Sequence, residues 1–204
     1  MNNNTQKIIQ NIFLMLFIFL LAEGRVQIWM GLFLIGLAFS LVFGRYYCGW
    51  FCPINTVLSG VTWVKKKLHV KSLKIPQFLV KLWVRNLTLG VFISIFMITL
   101  MTEIKLPVLP VLFFIAILLT FLYPEEIWHR YLCPYGTLLK LSAMFTKHSM
   151  KIEESLCNNC GTCKRVCPVK AVVKTESKHS IHKSDCLVCM LCEDSCRQRA
   201  ITYQ

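Results

Sequence analysis

Cys157-Asn-Asn-Cys160-Gly-Thr-Cys163-Lys-Arg-Val-Cys167-Pro168 is followed by Cys186-Leu-Val-Cys189-Met-Leu-Cys192-Glu-Asp-Ser-Cys196, and both runs have the spacing Cys-x2-Cys-x2-Cys-x3-Cys. Three closely spaced thiolates can wrap one face of an iron–sulfur cubane, while the fourth, on a diverging turn, reaches across to the other cluster. The spacing therefore predicts one [4Fe–4S] cluster on Cys157, Cys160, Cys163 and Cys196, and a second on Cys186, Cys189, Cys192 and Cys167. Structural zinc is the competing reading of Cys-x2-Cys pairs, but each run carries four thiols instead of two. The halves echo each other beyond the cysteines. Cys167-Pro-Val-Lys-Ala171-Val172 corresponds to Cys196-Arg-Gln-Arg-Ala200-Ile201, with Arg197 in place of Pro168.

Upstream of these runs the chain changes character. Of 204 residues 55% are hydrophobic, and a mean hydropathy of +0.55 is too apolar for an ordinary soluble domain. The apolar residues concentrate before residue 124, whereas Met150 to Gln204 is polar, charged and rich in cysteine. Composition thus predicts two domains, residues 1–148 in the membrane and a small α+β cluster domain at 149–204, with the boundary near residues 146–152. Four membrane spans are expected near residues 8–22, 26–43, 86–101 and 106–123. A helix rises about 1.5 Å per residue and hydrocarbon is about 30 Å thick, so the first and third read as short unless flanking residues snorkel. Lys7 and Ala22 also allow the first stretch to be read as a signal peptide, but it lacks an A-x-A tail and runs at once into another span.

The net charge of +13 invites a nucleic-acid reading, which the placement of the charges opposes. From Arg45 to Arg85 there are eight basic residues and no acidic one, between two strongly hydrophobic regions. Positive charge so flanked marks a cytoplasmic loop. The turn between the first two spans carries Glu23 and Arg25, and that between the last two carries Glu103 and Lys105, so neither is enriched in positive charge. The expected orientation puts both termini, the 45–85 loop and the cluster domain in the cytoplasm of a bacterial inner membrane. There the thiols stay reduced. None of the five histidines falls in a span, so no membrane haem is expected. Acidic and basic side chains are also absent from the span cores, which gives no support to an ion path.

Three cysteines lie outside the cluster runs, Cys48, Cys52 and Cys133. They sit in Gly44-Arg45-Tyr46-Tyr47-Cys48-Gly49-Trp50-Phe51-Cys52-Pro53-Ile-Asn-Thr56 and in His129-Arg130-Tyr131-Leu132-Cys133-Pro134-Tyr135-Gly136-Thr137. Each motif (44–56 and 129–137) follows a pair of spans, which reads as a duplicated two-span unit ending in a Cys-Pro turn. On one helix a Cys-x3-Cys spacing would put Cys48 and Cys52 on a common face, as a redox pair or, with Cys133, a metal site. Arg45, His129 and Arg130 are candidate contacts to a quinone or a redox centre, or else to lipid phosphates. Trp50, Trp63, Trp83 and Trp128 read as interfacial anchors. Glu125 and Glu126, after Pro124, are expected to start a helix. Met97 and Met101 share a helical face and read as lipid-facing packing.

Residues 150–204 resemble the bacterial two-cluster ferredoxin fold. Together with Gly-Arg-x-x-Cys-Gly-Trp-x-Cys-Pro and His-Arg-x-Leu-Cys-Pro-x-Gly, nearly the whole chain resembles the NapH/MauN-type membrane ferredoxins, relatives of NosR-like and oxidase-assembly iron–sulfur membrane proteins. One departure is Ile54-Asn55, where Gly often precedes the Thr; the second motif keeps Gly136. The resemblance implies electron exchange between the quinol pool or a membrane-bound redox protein and a soluble or membrane acceptor, as a component of a quinol dehydrogenase without a complete active site of its own. Two other functions compete. Soft thiolates at Cys48, Cys52 and Cys133 suit copper handling in assembly of a respiratory enzyme, and the clusters alone would suit a redox sensor or docking subunit.

Overall fold

The computed structural model describes residues 3–102, 108–175 and 178–204. Glu103 and Lys105, and the first two residues of the fourth expected span, lie outside them. The architecture is mainly helical with four short strands: α1 (Asn3–Ala22), α2 (Gln27–Phe43), α3 (Tyr46–Trp50), α4 (Pro53–Lys67), α5 (Leu82–Thr102), α6 (Val108–Leu122) and α7 (Pro134–Ala143), then β1 (Met150–Ile152), α8 (Thr162–Val166), β2 (Val172–Lys174), β3 (His179–Ile181), α9 (Leu191–Asp194) and β4 (Ile201–Tyr203).

The lengths of the apolar helices reverse the expectation. Among the described residues α1 and α5 are the two helices long and apolar enough to cross a membrane, whereas α2 and α6 have 17 and 15 residues. α1 starts five residues before its apolar stretch because the polar end is structured. Gln6 and Gln10 donate to the carbonyl of Gly49 over 3.1 and 2.8 Å. Residues 82–85 extend α5 in the same way, since Leu82, Trp83 and Val84 continue its helix ahead of Asn86.

Packing divides the chain differently from composition. One compact unit comprises Met1–Pro53 and Leu138–Gln204, the other Ile54–Thr137. In the first, Phe13 and Phe17 of α1 meet Trp29 of α2 edge-on at 6.2 and 5.2 Å between ring centroids. The rest of α1 and α2 leaves large side chains such as Met15, Phe19, Ile35 and Phe39 exposed. Fully apolar, outward-facing helices of this kind suit a lipid surround.

The cysteine-rich part of this unit is built from two nested antiparallel pairs. β1 pairs with β4, with Met150 opposite Tyr203 and Ile152 opposite Ile201. β2 pairs with β3, with Val172 opposite Ile181. The outer pair is tied to the end of α2 by Tyr203, whose hydroxyl donates to the Phe43 carbonyl at 3.0 Å, and by Thr146, which donates to the Val42 carbonyl at 2.6 Å.

In the second unit the stretch expected as a basic loop is largely helical, since α4 runs to Lys67. Lys65 is 5% exposed. Its ammonium donates to the carbonyls of Thr120 at 2.8 Å and Tyr123 at 3.1 Å. A cation thus satisfies the orphan carbonyls at the end of α6, where the helix dipole also favours positive charge. A helix does begin after Pro124, and it is a π-helical turn over Ile127–Leu132. Its closing bond is Cys133 N–H to the Trp128 carbonyl, 2.8 Å and five residues apart. Such turns recur at functional sites. Pro53 and Pro134 each open the helix that follows, the position where a missing N–H costs nothing. Asn55 in place of a glycine therefore leaves the first motif helical.

Candidate iron–sulfur site

The two cysteine runs are related by a 29-residue repeat, Cys157 to Cys186, and the backbone obeys it. Asn159, Gly161 and Lys170 have φ of 58°, 71° and 49°, and the residues that correspond to them, Val188, Met190 and Arg199, have 53°, 58° and 49°. Left-handed residues at these places turn the chain back around a central volume. They are unfavourable for side-chain-bearing residues and most of all for β-branched Val188, which marks the loops as held in place by something other than their own preferences.

Each loop encloses a cavity. One is lined by Cys157, Cys160, Cys163 and Cys196 together with Ile152, Gly161, His179 and Ile201. The other is lined by Cys167, Cys186, Cys189 and Cys192 together with Met150, Val169, Leu187 and Met190. The crosswise exchange of Cys167 and Cys196 makes the two halves corresponding sites. Among the described residues no three His, Cys, Asp or Glu side chains converge closely enough to hold a single metal ion. The sulfurs ring a volume and do not meet at a point.

The donor set fits a polynuclear iron–sulfur group. Backbone N–H groups of Ala171 and Val188 point at Cys167 Sγ and Cys186 Sγ over 3.2 and 3.4 Å, the kind of bond that tunes cluster sulfurs. His179 is buried and its Nδ1 has no hydrogen-bond partner among the described residues. A buried polar atom so left over on a cavity wall calls for a ligand there. Burial pushes the Cys186 thiol up to about 11 and the Cys192 thiol higher still, whereas Cys160, hydrogen-bonded by Thr162, is lowered. The buried thiols thus hold their protons more tightly than a free cysteine, and a bound metal would overcome that by deprotonating them.

α3 lies directly against the second cavity. A Cβ on Gly49 would fall 2.3 Å from the Leu187 carbonyl oxygen, so only glycine permits this approach. Trp50, 2% exposed, donates its indole N–H to the Val188 carbonyl at 3.1 Å. Arg45, 1% exposed, donates to the Asp185 carbonyl at 3.4 Å and approaches Cys48 Sγ at 3.9 Å. Asp185 is also paired with Lys140.

Several sequence expectations are corrected here. Trp50 and Trp128 are buried and only Trp63 and Trp83 are exposed, so two of the four are packing residues and not anchors. α3 ends at Trp50 and α4 begins at Pro53, so Cys52 lies at a junction and the shared helical face of Cys48 and Cys52 does not form. Cys48 is buried, and burial raises its thiol against the opposing pull of Arg45. In the second unit, Cys133 is buried and accepts from the Gly136 N–H at 3.3 Å. His129 is buried, so it does not meet lipid phosphates, and Arg130 pairs with Glu126 at 3.7 Å. Met97 and Met101 are exposed, consistent with lipid-facing packing. Sequence reasoning missed Gln6, Gln10 and His179. The two glutamines stood out only as polar residues ahead of an apolar run, and His179 only through its correspondence to Met150.

The 4Fe-4S binding domain family matches residues 26–71 and 106–153, and the 4Fe-4S dicluster domain family matches residues 149–197. An uncharacterized Methanocaldococcus jannaschii protein, MJ0749, is 27% identical over 175 residues, covering 83% of this chain and 68% of that protein. The ferredoxin-type protein NapH of Haemophilus influenzae is 24% identical over 199 residues, covering 85% of this chain and 67% of that protein. The methylamine utilization ferredoxin-type protein MauN of Paracoccus denitrificans is 29% identical over 175 residues, covering 76% and 61%. No solved structure matches the chain. The cysteine-walled cavities and the two 4Fe-4S family matches support an iron–sulfur protein, and the relatives liken it to ferredoxin-type electron carriers. The chain is similar to the NapH/MauN-type 4Fe–4S ferredoxins.

Proposed function

We propose that this chain is a multi-pass membrane protein that relays electrons between quinol, or a membrane redox partner, and another redox protein through two [4Fe–4S] clusters. The observation that carries the reading is the pair of cavities, each walled by four cysteines. Cys157, Cys160, Cys163 and Cys196 hold one cluster, and Cys186, Cys189, Cys192 and Cys167 the other. When bound, such clusters supply one-electron storage spread over several irons and sulfurs. The N–H groups of Ala171 and Val188 and the buried charge of Arg45 offset negative charge at the second site.

Support for a quinol end comes from a third cavity in the same unit, almost wholly apolar. Its walls come from α1, α2 and α3, its polar groups are Ser40, Tyr46, Tyr47 and Tyr203, and Met190 belongs both to it and to the second cysteine-walled cavity. A large apolar pocket with a few polar groups suits a prenylated ring. Arg45 faces the redox centre in this reading, and the quinone ring sits among the tyrosines.

The chain's own helices supply the membrane anchor. α1 and α5 span, and α2 and α6, about 25 and 22 Å long at 1.5 Å per residue, span with local thinning or flanking residues. The amino terminus, the basic 45–85 segment and the cluster domain face the cytoplasm.

Iron and labile-sulfide analysis with EPR of anaerobically purified protein tests this, before and after a reduced quinol analogue is added. About eight irons per chain with quinol-dependent cubane signals is the expected result. Iron-free protein sinks the cluster reading, and loaded protein indifferent to quinol sinks the quinol end alone.

A further inference from the structure

The 29-residue repeat that relates the two cysteine loops is broken in one consistent sense. Around the second cavity the loop reads Leu187, Val188, Met190, Leu191, all but the last buried, and it lies under Gly49 and Trp50 of α3. At the corresponding places around the first cavity stand Asn158, Asn159, Gly161 and Thr162, and Cys160 is exposed where Cys189 is half-buried. The charges reverse as well. Lys164 and Arg165, both exposed, correspond to Glu193 and Asp194, and exposed Arg197 corresponds to Pro168. Arg165 donates to Thr162 Oγ1 at 3.2 Å, and Thr162 lies 3.5 Å from Cys160 Sγ, so this cation stands at the rim of the first cavity. Arg197 directly follows Cys196, a wall residue of that cavity.

We infer that the first cavity's face, Asn158 to Arg165 together with Arg197, is the docking port for an acidic, water-soluble one-electron carrier, and that the second cavity is the inner site. This rests on the cluster reading above. Electron exchange falls off steeply with distance, so a partner must reach the site whose sulfur is exposed, and only the first one offers that. The three exposed cations of this face, Lys164, Arg165 and Arg197, outnumber Glu193 and Asp194 of α9, which packs against α8, and so select a partner of opposite sign and speed encounter. One electron passes per encounter, oxidising one protein and reducing the other, and no atom is transferred.

The test uses the full chain with its clusters, in neutral-lipid nanodiscs, and rubredoxin, an acidic one-iron carrier, as the probe. Binding is read by NMR shifts of zinc-substituted rubredoxin, and exchange by stopped-flow reduction of the iron form by dithionite-reduced protein. The wild type should bind with an affinity that falls as salt rises. K164E/R165E/R197E should lose about ten-fold or more in both binding and low-salt rate, while K147E/K183E, exposed and neither in the first cavity's wall nor beside a wall residue, should match the wild type. Iron content and both cubane EPR signals serve as the check on the cluster reading, and they should be unchanged in every variant. Salt-independent binding, or equal losses in the two variants, overturns the port. A loss seen only when anionic lipid is added to the nanodiscs overturns it too, because the cations would then belong to the headgroups.

Discussion

Trp50 and Trp128 each stand just ahead of a Cys-Pro turn, each only 2% exposed, yet they are held differently. Trp50 hands its indole N–H to Val188 in a cysteine loop, while the N–H of Trp128 finds no partner among the described residues. The surroundings differ in the same way. The first turn has Gly49 pressed on the Leu187 carbonyl and Arg45 on Asp185, whereas the second is a π-helical turn ringed by its own acids and bases, Glu125, Glu126, His129 and Arg130. Two copies of one motif thus diverge into a support for a redox loop and a self-contained polar turn. The two tryptophans stand two and five residues ahead of their Cys-Pro pairs, so likeness between the motifs does not make them counterparts.

The comparison breaks most sharply at Gly49. Because the added side chain would collide with a backbone oxygen, Gly49→Val should displace the Cys186–Cys192 loop and lower bound iron from about eight to about four per chain. Elemental analysis with EPR would check this; full iron content would mean that α3 is not what shapes the loop.

Phenylalanine at the two tryptophans gives the next largest contrast. Trp50→Phe leaves the buried Val188 carbonyl short of a donor and should cost about 1–3 kcal/mol. Trp128→Phe removes an N–H without a described partner and should cost distinctly less, both read by thermal unfolding of the cluster-loaded protein.

How much of this was legible beforehand follows from what each feature depends on. Cysteine spacing is local, so the eight thiols and their crosswise grouping could be written down from residues 157–196 alone. Helix existence was legible because apolar runs are local too. The ends of α1 and α5 were not, since Gln6 and Gln10 are held by the Gly49 carbonyl, some forty residues away in the chain. Nor could the sequence separate buried Trp50 from exposed Trp63, because aromatic residues near an apolar run suit an interface and a core equally.

A smaller effect belongs to the second turn. Burial pushes the Glu125 carboxyl above the usual carboxylate range, against the opposing pull of Lys66, Thr62 and Lys65. The folded form then holds a proton that the unfolded chain releases, so stability declines as pH rises from the ordinary carboxylate value through the raised one. Glu125→Gln should flatten that decline in thermal melts taken across pH; an unchanged slope would assign it elsewhere.

Smallest of all is the expected effect at Cys48. Its buried, proton-retaining thiol should react with iodoacetamide far more slowly than half-exposed Cys52 in the native protein, and Cys48→Ser should leave iron content intact. Rapid labelling of Cys48, read by mass spectrometry, would restore it as a reactive thiol.

Five side-chain-bearing residues in the cysteine-rich stretch, Asn159, Lys170, Val188, Met190 and Arg199, hold left-handed backbone. At about 1 kcal/mol or more apiece, their combined cost rivals the whole stability of a small domain. Without its metal, the stretch would be an easy substrate for cellular proteases. The half-life of the chain should then follow the iron supply of the cell, which a pulse-chase under chelation would measure, and the abundance of this electron carrier would be rationed by nutrition as well as by gene expression.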